Sequence, residues 1–207
     1  MAAHRTLTAL PGILAILLAL SNTPSALSDE KTKPKTQQKA DEKPEETTEV
    51  KVKDLMLSIP KSWKQQEPKS SLRLAQFQIP AVNGDSDPAE LAVFSFGGVD
   101  IQANVSRWIS QFQQEGRKVK ITTGEVKQGK YLLVNLSGTY KKPVGPPIDR
   151  KTEDAPGYRV LAVIMVVPEK GVYYLKTVGP DKTVAASAKG LRHSIGARAE
   201  DEKTIEP

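Results

Sequence analysis

The chain has 207 residues, a formal net charge of +6, two histidines and no cysteine. Without thiols there is no disulfide, no cysteine nucleophile and no cysteine-based zinc or iron–sulfur site. Lys and Arg are interleaved with Asp and Glu and only 5% of residues are aromatic, which is not the footprint of a nucleic-acid binder.

Residues 1–28 read as a signal peptide. Arg5 precedes an apolar run of 14 residues, Leu7 to Leu20, and small residues follow at Ala26-Leu27-Ser28. That order predicts export, with cleavage near Ser28 and an extracytoplasmic (periplasmic or secreted) location. The run is shorter than the roughly 20 residues a membrane-spanning helix needs, and no other run approaches it, so no membrane span is expected. Residues 29–48, DEKTKPKTQQKADEKPEETT, contain one apolar residue, Ala40, and read as a disordered charged linker. Residues 49–196 read as a single globular domain, and residues 197–207 as a charged tail.

Within the domain, Val52–Ile59 reads as a first strand stopped by Pro60, and Leu72–Ile79 as a second stopped by Pro80. Leu91–Phe96 reads as a third. A helix follows, capped by Asp100 and stopped by Gly116, because Ile101, Val105, Trp108, Ile109 and Phe112 recur at helical spacing. Trp108 is therefore expected in the core. Val119–Val126 and Tyr131–Tyr140 form a hairpin, then Tyr158–Val167 and Val172–Val178 a second pair. The run VLAVIMVV is apolar on both faces, which suits a central strand covered on both sides. A last helix aligns Val184, Ala188, Leu191 and Ile195. The predicted class is α+β, a mostly antiparallel sheet flanked by two amphipathic helices in the order βββ-α-ββββ-α.

Chemistry-bearing motifs are sparse. Gly97-Gly98 before a helix could present backbone N–H groups to an anion, but it lacks a complete phosphate-binding pattern, and Asp100 places a negative charge there. Asp85, Asp87 and Glu90 could supply calcium oxygens, although the spacing is short for an EF-hand loop and Pro88 breaks the register. His4 leaves with the signal, and His193 falls opposite the stripe of the last helix. One exposed histidine builds neither a zinc site nor a catalytic triad. Asn104 and Arg107 read as a structural amide and a solvated cation. No catalytic residue, metal or cofactor is expected.

The segment Lys141–Gly157, KKPVGPPIDRKTEDAPG, reads as a 17-residue loop stiffened by four prolines. Tyr140 and Tyr158 stand at its bases, and Lys141, Lys142, Arg150 and Lys151 decorate it. These six residues are the expected partner-binding surface, suited to an anionic envelope protein or polysaccharide. A variable insertion at a hairpin tip is the competing reading.

The order of elements resembles the Mog1/PsbP-like α/β sandwich. The residues that carry the resemblance are Ile59-Pro60-Lys61-Ser62-Trp63, LRLAQFQIP from Leu72 to Pro80, and GVYYLKTVGP before the last helix. FGGVDIQANVSRWISQF also resembles an element of uncharacterised secreted proteins of planctomycete-type bacteria. The resemblance implies a fold and transfers no catalytic residue. The expected function is an exported, non-enzymatic binding or accessory module. The alternatives are an enzyme with a site under the Pro-rich loop, or a cell-envelope structural protein acting through its linker.

Overall fold

A computed structural model describes residues 45–206 except Asn83, Gly98 and Val99. Residues 1–28, expected as a signal, most of the expected linker and part of the Gly97-Gly98 turn lie outside the described residues. Ten strands and three α-helices are described, which makes a sheet-rich α+β arrangement.

The chain begins with a hairpin, β1 (Thr47–Val52) and β2 (Leu55–Pro60), in which Val52 pairs with Leu55. The expected single strand over Val52–Ile59 is thus corrected to a turn followed by a strand. Lys53 takes a left-handed φ of 53° and reverses the chain there without a glycine to announce it. In β2, Leu55, Leu57 and Ile59 are buried and Met56 is exposed, the period of a one-sided strand.

The main sheet has eight antiparallel strands. In chain order they are β3 (Lys64–Gln66), β4 (Ala75–Ile79), β5 (Ala89–Ser95), β6 (Lys118–Val126), β7 (Gly129–Pro143), β8 (Thr152–Val167), β9 (Gly171–Pro180) and β10 (Lys203–Ile205). Their spatial order is β10-β6-β7-β8-β9-β5-β4-β3. The two-faced run lies in β8, where every residue from Val160 to Met165 is buried. Its side chains alternate between two apolar layers. Leu161, Val163, Met165 and Val167 face one, and Val160, Ala162 and Ile164 face the other.

The first layer is sealed by β1–β2 and by two short helices, α2 (Asp181–Ala186) and α3 (Ala188–Ser194). The single last helix expected from the sequence breaks at Ser187, whose hydroxyl donates to the Val184 carbonyl (2.9 Å). Its stripe of Val184, Leu191 and Ile195 is fully buried, and His193 is exposed. Gly190 lets α3 lie directly on β2. A Cβ there would sit 3.1 Å from both Pro60 Cγ and Trp63 Cζ2.

The second layer is covered, among the described residues, by one helix, α1 (Ile101–Ser110). Asp100 caps it by accepting from Ala103 N–H (2.8 Å). The helix ends before the expected stop at Gly116 because β7 recruits the backbone that follows it. Gln113 N–H donates to the Thr139 carbonyl (2.9 Å) and Lys141 N–H to the Gln111 carbonyl (2.8 Å). Phe112 therefore leaves the helix and bridges to Tyr140. Trp108 and Phe112 are buried as expected.

Two further segments differ from expectation. The 17-residue loop is a continuation of the β7–β8 hairpin, with Lys141 opposite Asp154, Lys142 opposite Glu153 and Pro143 opposite Thr152. The irregular part shrinks to residues 144–151, with a 3-10 turn at Pro147–Asp149. A bulge between Gly138 and Tyr140 absorbs Pro156-Gly157, so the strand continues past a dipeptide that reads as a stop. The charged tail is also corrected. Its β10 pairs with β6, and the Glu202 side chain ahead of it is 3% exposed. That carboxylate accepts from Arg192 Nε (2.8 Å), Arg192 Nη2 (2.9 Å) and Thr122 Oγ1 (2.8 Å).

Candidate functional site

Where α1 leaves the second layer incompletely covered, a cleft of about 230 Å³ opens between the helix, β5 and β9. Phe94 and Phe96 come from β5 and its end, Tyr174 and Lys176 from β9, and Arg107, Trp108 and Gln111 from α1 and its C-cap. The volume lies below the roughly 300–1,000 Å³ usual for drug-sized sites, which limits an occupant to about one ring and a short polar group.

Aromatic faces form the walls. Phe96 lies 5.8 Å from both Phe94 and Tyr174, and Trp108 meets Tyr174 edge-on at 6.4 Å. Such surfaces accept a flat apolar body in stacked or edge-to-face geometry. Trp108 is thus both core and cleft wall, whereas the sequence reading gave it the first role alone.

The polar element is Lys176. On β9 it shares its face with Val172, Tyr174 and Val178, so its stem is directed into the apolar layer. Its ammonium donates to Gln111 Oε1 (2.6 Å) and lies 5.7 Å from the Tyr140 ring centroid. No carboxylate pairs with it among the described residues. Burial, with smaller contributions from the Arg107 and Arg73 charges, lowers the Lys176 pKa from 10.5 to about 8.

Two guanidiniums flank the site. Arg107 on the rim donates to Asn104 Oδ1 (2.6 Å). Arg73 lies 5.9 Å from the Phe94 ring centroid and donates to Glu90 Oε1 and Gln76 Oε1 (2.6 and 2.7 Å). Burial alone would raise the Glu90 carboxyl pKa. Hydrogen bonds from Lys69 and Arg73 outweigh that and hold it below the ordinary value. Glu90 therefore answers Arg73 and Lys69, while the charge of Lys176 has no acidic counterpart among the described residues.

The six residues expected at the partner surface separate into two groups. Tyr140 is buried, its ring 6.1 Å from Tyr158 and nearly parallel to it, and 5.2 Å from Phe112. Lys141 turns toward α1, its Nζ donating to the Ser110 carbonyl (3.1 Å). Lys142 and Lys151 face Glu153 and Asp149 at 3.5 and 3.8 Å, and Arg150 is exposed with a left-handed φ of 49°. Tyr140 thus lies beneath Lys176, while Lys142, Arg150 and Lys151 lie along the outer hairpin. Two of the three carboxylates considered for calcium are engaged elsewhere. Asp85 Oδ2 accepts from Thr183 N–H and Oγ1 (2.8 and 2.9 Å) at the start of α2, and Glu90 binds Arg73. No cluster of three potential metal ligands occurs among the described residues.

A second, wider depression of about 610 Å³ lies among Asp54, Gln128, Pro168 and Gly196. Lys127 and Lys170 also line it, and its Gln128 amide accepts from Met56 N–H (2.9 Å) and donates to Met56 O (2.8 Å). The smaller cleft is the one that joins aromatic walls to a desolvated ammonium. The sequence reading missed Lys176, although a signal was present. In Val172–Val178 it is the one charged side chain on an otherwise apolar face.

No protein-family model matches the chain, and no curated protein is significantly similar to it. Among the described residues no helix is long and apolar enough to cross a membrane.

Proposed function

We propose that this chain is an extracytoplasmic binding module that takes a small organic anion with a flat apolar body into the cleft beneath α1. The observation that carries this reading is the Lys176 ammonium, held in an aromatic-walled cleft with no carboxylate partner among the described residues. A cation in that setting lacks the charge neutralisation that native proteins ordinarily provide, and a ligand carboxylate would supply it. Phe94, Phe96, Tyr174 and Trp108 would contact the apolar part, and Arg107 at the rim would attract the anion. The resemblance to the Mog1/PsbP-like sandwich supports this at the level of fold alone. The export reading rests on the order of charges and apolar residues in residues 1–28.

The test uses 3-phenylpropanoate, one ring and one carboxylate, and follows Trp108 fluorescence in a Trp63→Phe background. Saturable quenching that Lys176→Met abolishes, in a folded variant, is the expected result. Equal binding by Lys176→Met and the parent would overturn the assignment.

A further inference from the structure

The Lys176 amine has a second capacity besides its charge. It ends a stem that rises from the sheet into an open cleft, and its hydrogen-bond partner is the neutral Gln111 carbonyl oxygen. A lysine locked to a carboxylate stays protonated and inert, whereas one held among apolar walls and other cations is available as a nucleophile.

The geometry points to reversible covalent capture: Lys176 forms an imine with the carbonyl of a bound 2-oxo acid carrying a flat apolar group. This deepens the binding reading and rests on the same cleft. The aromatic walls would hold the ring, the Arg107 guanidinium would take the carboxylate, and the carbonyl between the two would face Nζ. The step needs no oxidant. The nitrogen lone pair bonds to the carbonyl carbon, and the carbonyl oxygen takes a proton to give a carbinolamine. That oxygen then leaves as water with the second amine proton as C=N forms. Hydrolysis by the reverse path releases the ligand unchanged, so this is capture rather than catalysis.

The charged and titratable groups around the amine act in a consistent direction. From α1 and its cap come Arg107 and Asp100, and Asp100 already serves the helix N-terminus. From the β4–β5 side come Arg73 and Glu90, which bind each other. From β7, β8 and β9 come Tyr140, Tyr158 and Tyr174. Burial pushes the Tyr140 and Tyr174 hydroxyls up, so both are neutral when the amine titrates. With a pKa of about 8, Lys176 carries roughly a hundredfold or more free amine at pH 7 than an ordinary lysine.

The experiment treats the full chain with phenylpyruvate and cyanoborohydride and maps adducts by peptide mass spectrometry. Calorimetry with 3-phenylpropanoate, which has no ketone, runs beside it. The expected result is a reduced adduct on Lys176, its mass increment equal to the ligand less one oxygen. Labelling there should exceed that of exposed lysines such as Lys118 by about tenfold or more and rise with pH through about 8. Lys176→Arg, whose guanidinium forms no imine, should give no adduct at that position. Binding of 3-phenylpropanoate with no selective adduct on Lys176 would overturn capture and leave the anion site standing. Absence of binding by either compound would overturn both.

Discussion

The two faces of the main sheet are made by the same strands and end in opposite conditions. Thr177 and Lys176 are neighbours on β9 and lie on opposite faces. Thr177 lies within the layer sealed by β1–β2, α2 and α3, is 0% exposed, and its hydroxyl finds no hydrogen-bond partner among the described residues. Lys176 lies beneath α1, which buries only Trp108 completely, and its ammonium reaches a cleft. Both positions carry a polar group in apolar surroundings. The first is closed to any ligand and the second is open. The extent of cover, rather than the strand sequence, separates a core from a site.

Substitutions on the two faces should therefore diverge. The largest effect belongs to the sealed face. Phe77→Ala removes a side chain that is 1% exposed and should cost about 3–5 kcal/mol in urea unfolding. A cost below about 1 kcal/mol would mean that this layer is not close-packed. Next comes the clasp at the sheet edge. Glu202→Gln leaves Arg192 half-satisfied and should cost about 1–3 kcal/mol. Burial by itself would raise the Glu202 pKa, but the Arg192 and Thr122 hydrogen bonds win and lower it. Its contribution is thus present above the unfolded carboxyl pKa and lost as pH falls through the lower folded value. Acid titration of parent and variant should converge in that range.

The open face should respond with the opposite sign. Lys176→Met removes a desolvated charge and should stabilise the fold at pH 7 by up to about 3 kcal/mol, because a fall from 10.5 to about 8 is worth roughly that much. The folded pKa lies below the unfolded one, so between about pH 8 and 10 the unfolded chain binds more protons. Parent stability should rise with pH there relative to the variant, and a variant less stable than the parent at pH 7 would break the comparison. Thr177→Val tests the other misfit and should gain about 1 kcal/mol. The smallest effect lies outside both layers. Lys151→Ala at the hairpin tip, 3.8 Å from Asp149, should change stability by less than about 0.5 kcal/mol.

Patterned apolar residues made much of the architecture legible. The two-faced run of β8, the stripe of α1 and the Val184–Leu191–Ile195 stripe each found their layer. Three features escaped for physical reasons. Lys53 turns the β1–β2 hairpin at positive φ without Gly or Asn. The outer β7–β8 hairpin is held by backbone pairing beyond the core and so lacks apolar alternation. Residues 203–205 read as tail because their anchor, Glu202, is matched by Thr122 and Tyr131, distant in sequence. The cleft was half legible. Tyr140 stands out as the base of a loop and Lys176 as the one charged residue on an apolar strand face, but that the two meet depends on the pairing of β7, β8 and β9.

The central claim is that Lys176 is a low-pKa amine in an open aromatic cleft. The direct measurement is its titration by NMR, with ¹³C-labelled lysine followed at Cε from pH 6 to 11 and the resonance assigned by its loss in Lys176→Arg. The account predicts a midpoint of about 8, moving upward when 3-phenylpropanoate is bound because a carboxylate favours the charged form. A midpoint near 10.5 that does not respond to the ligand would contradict it.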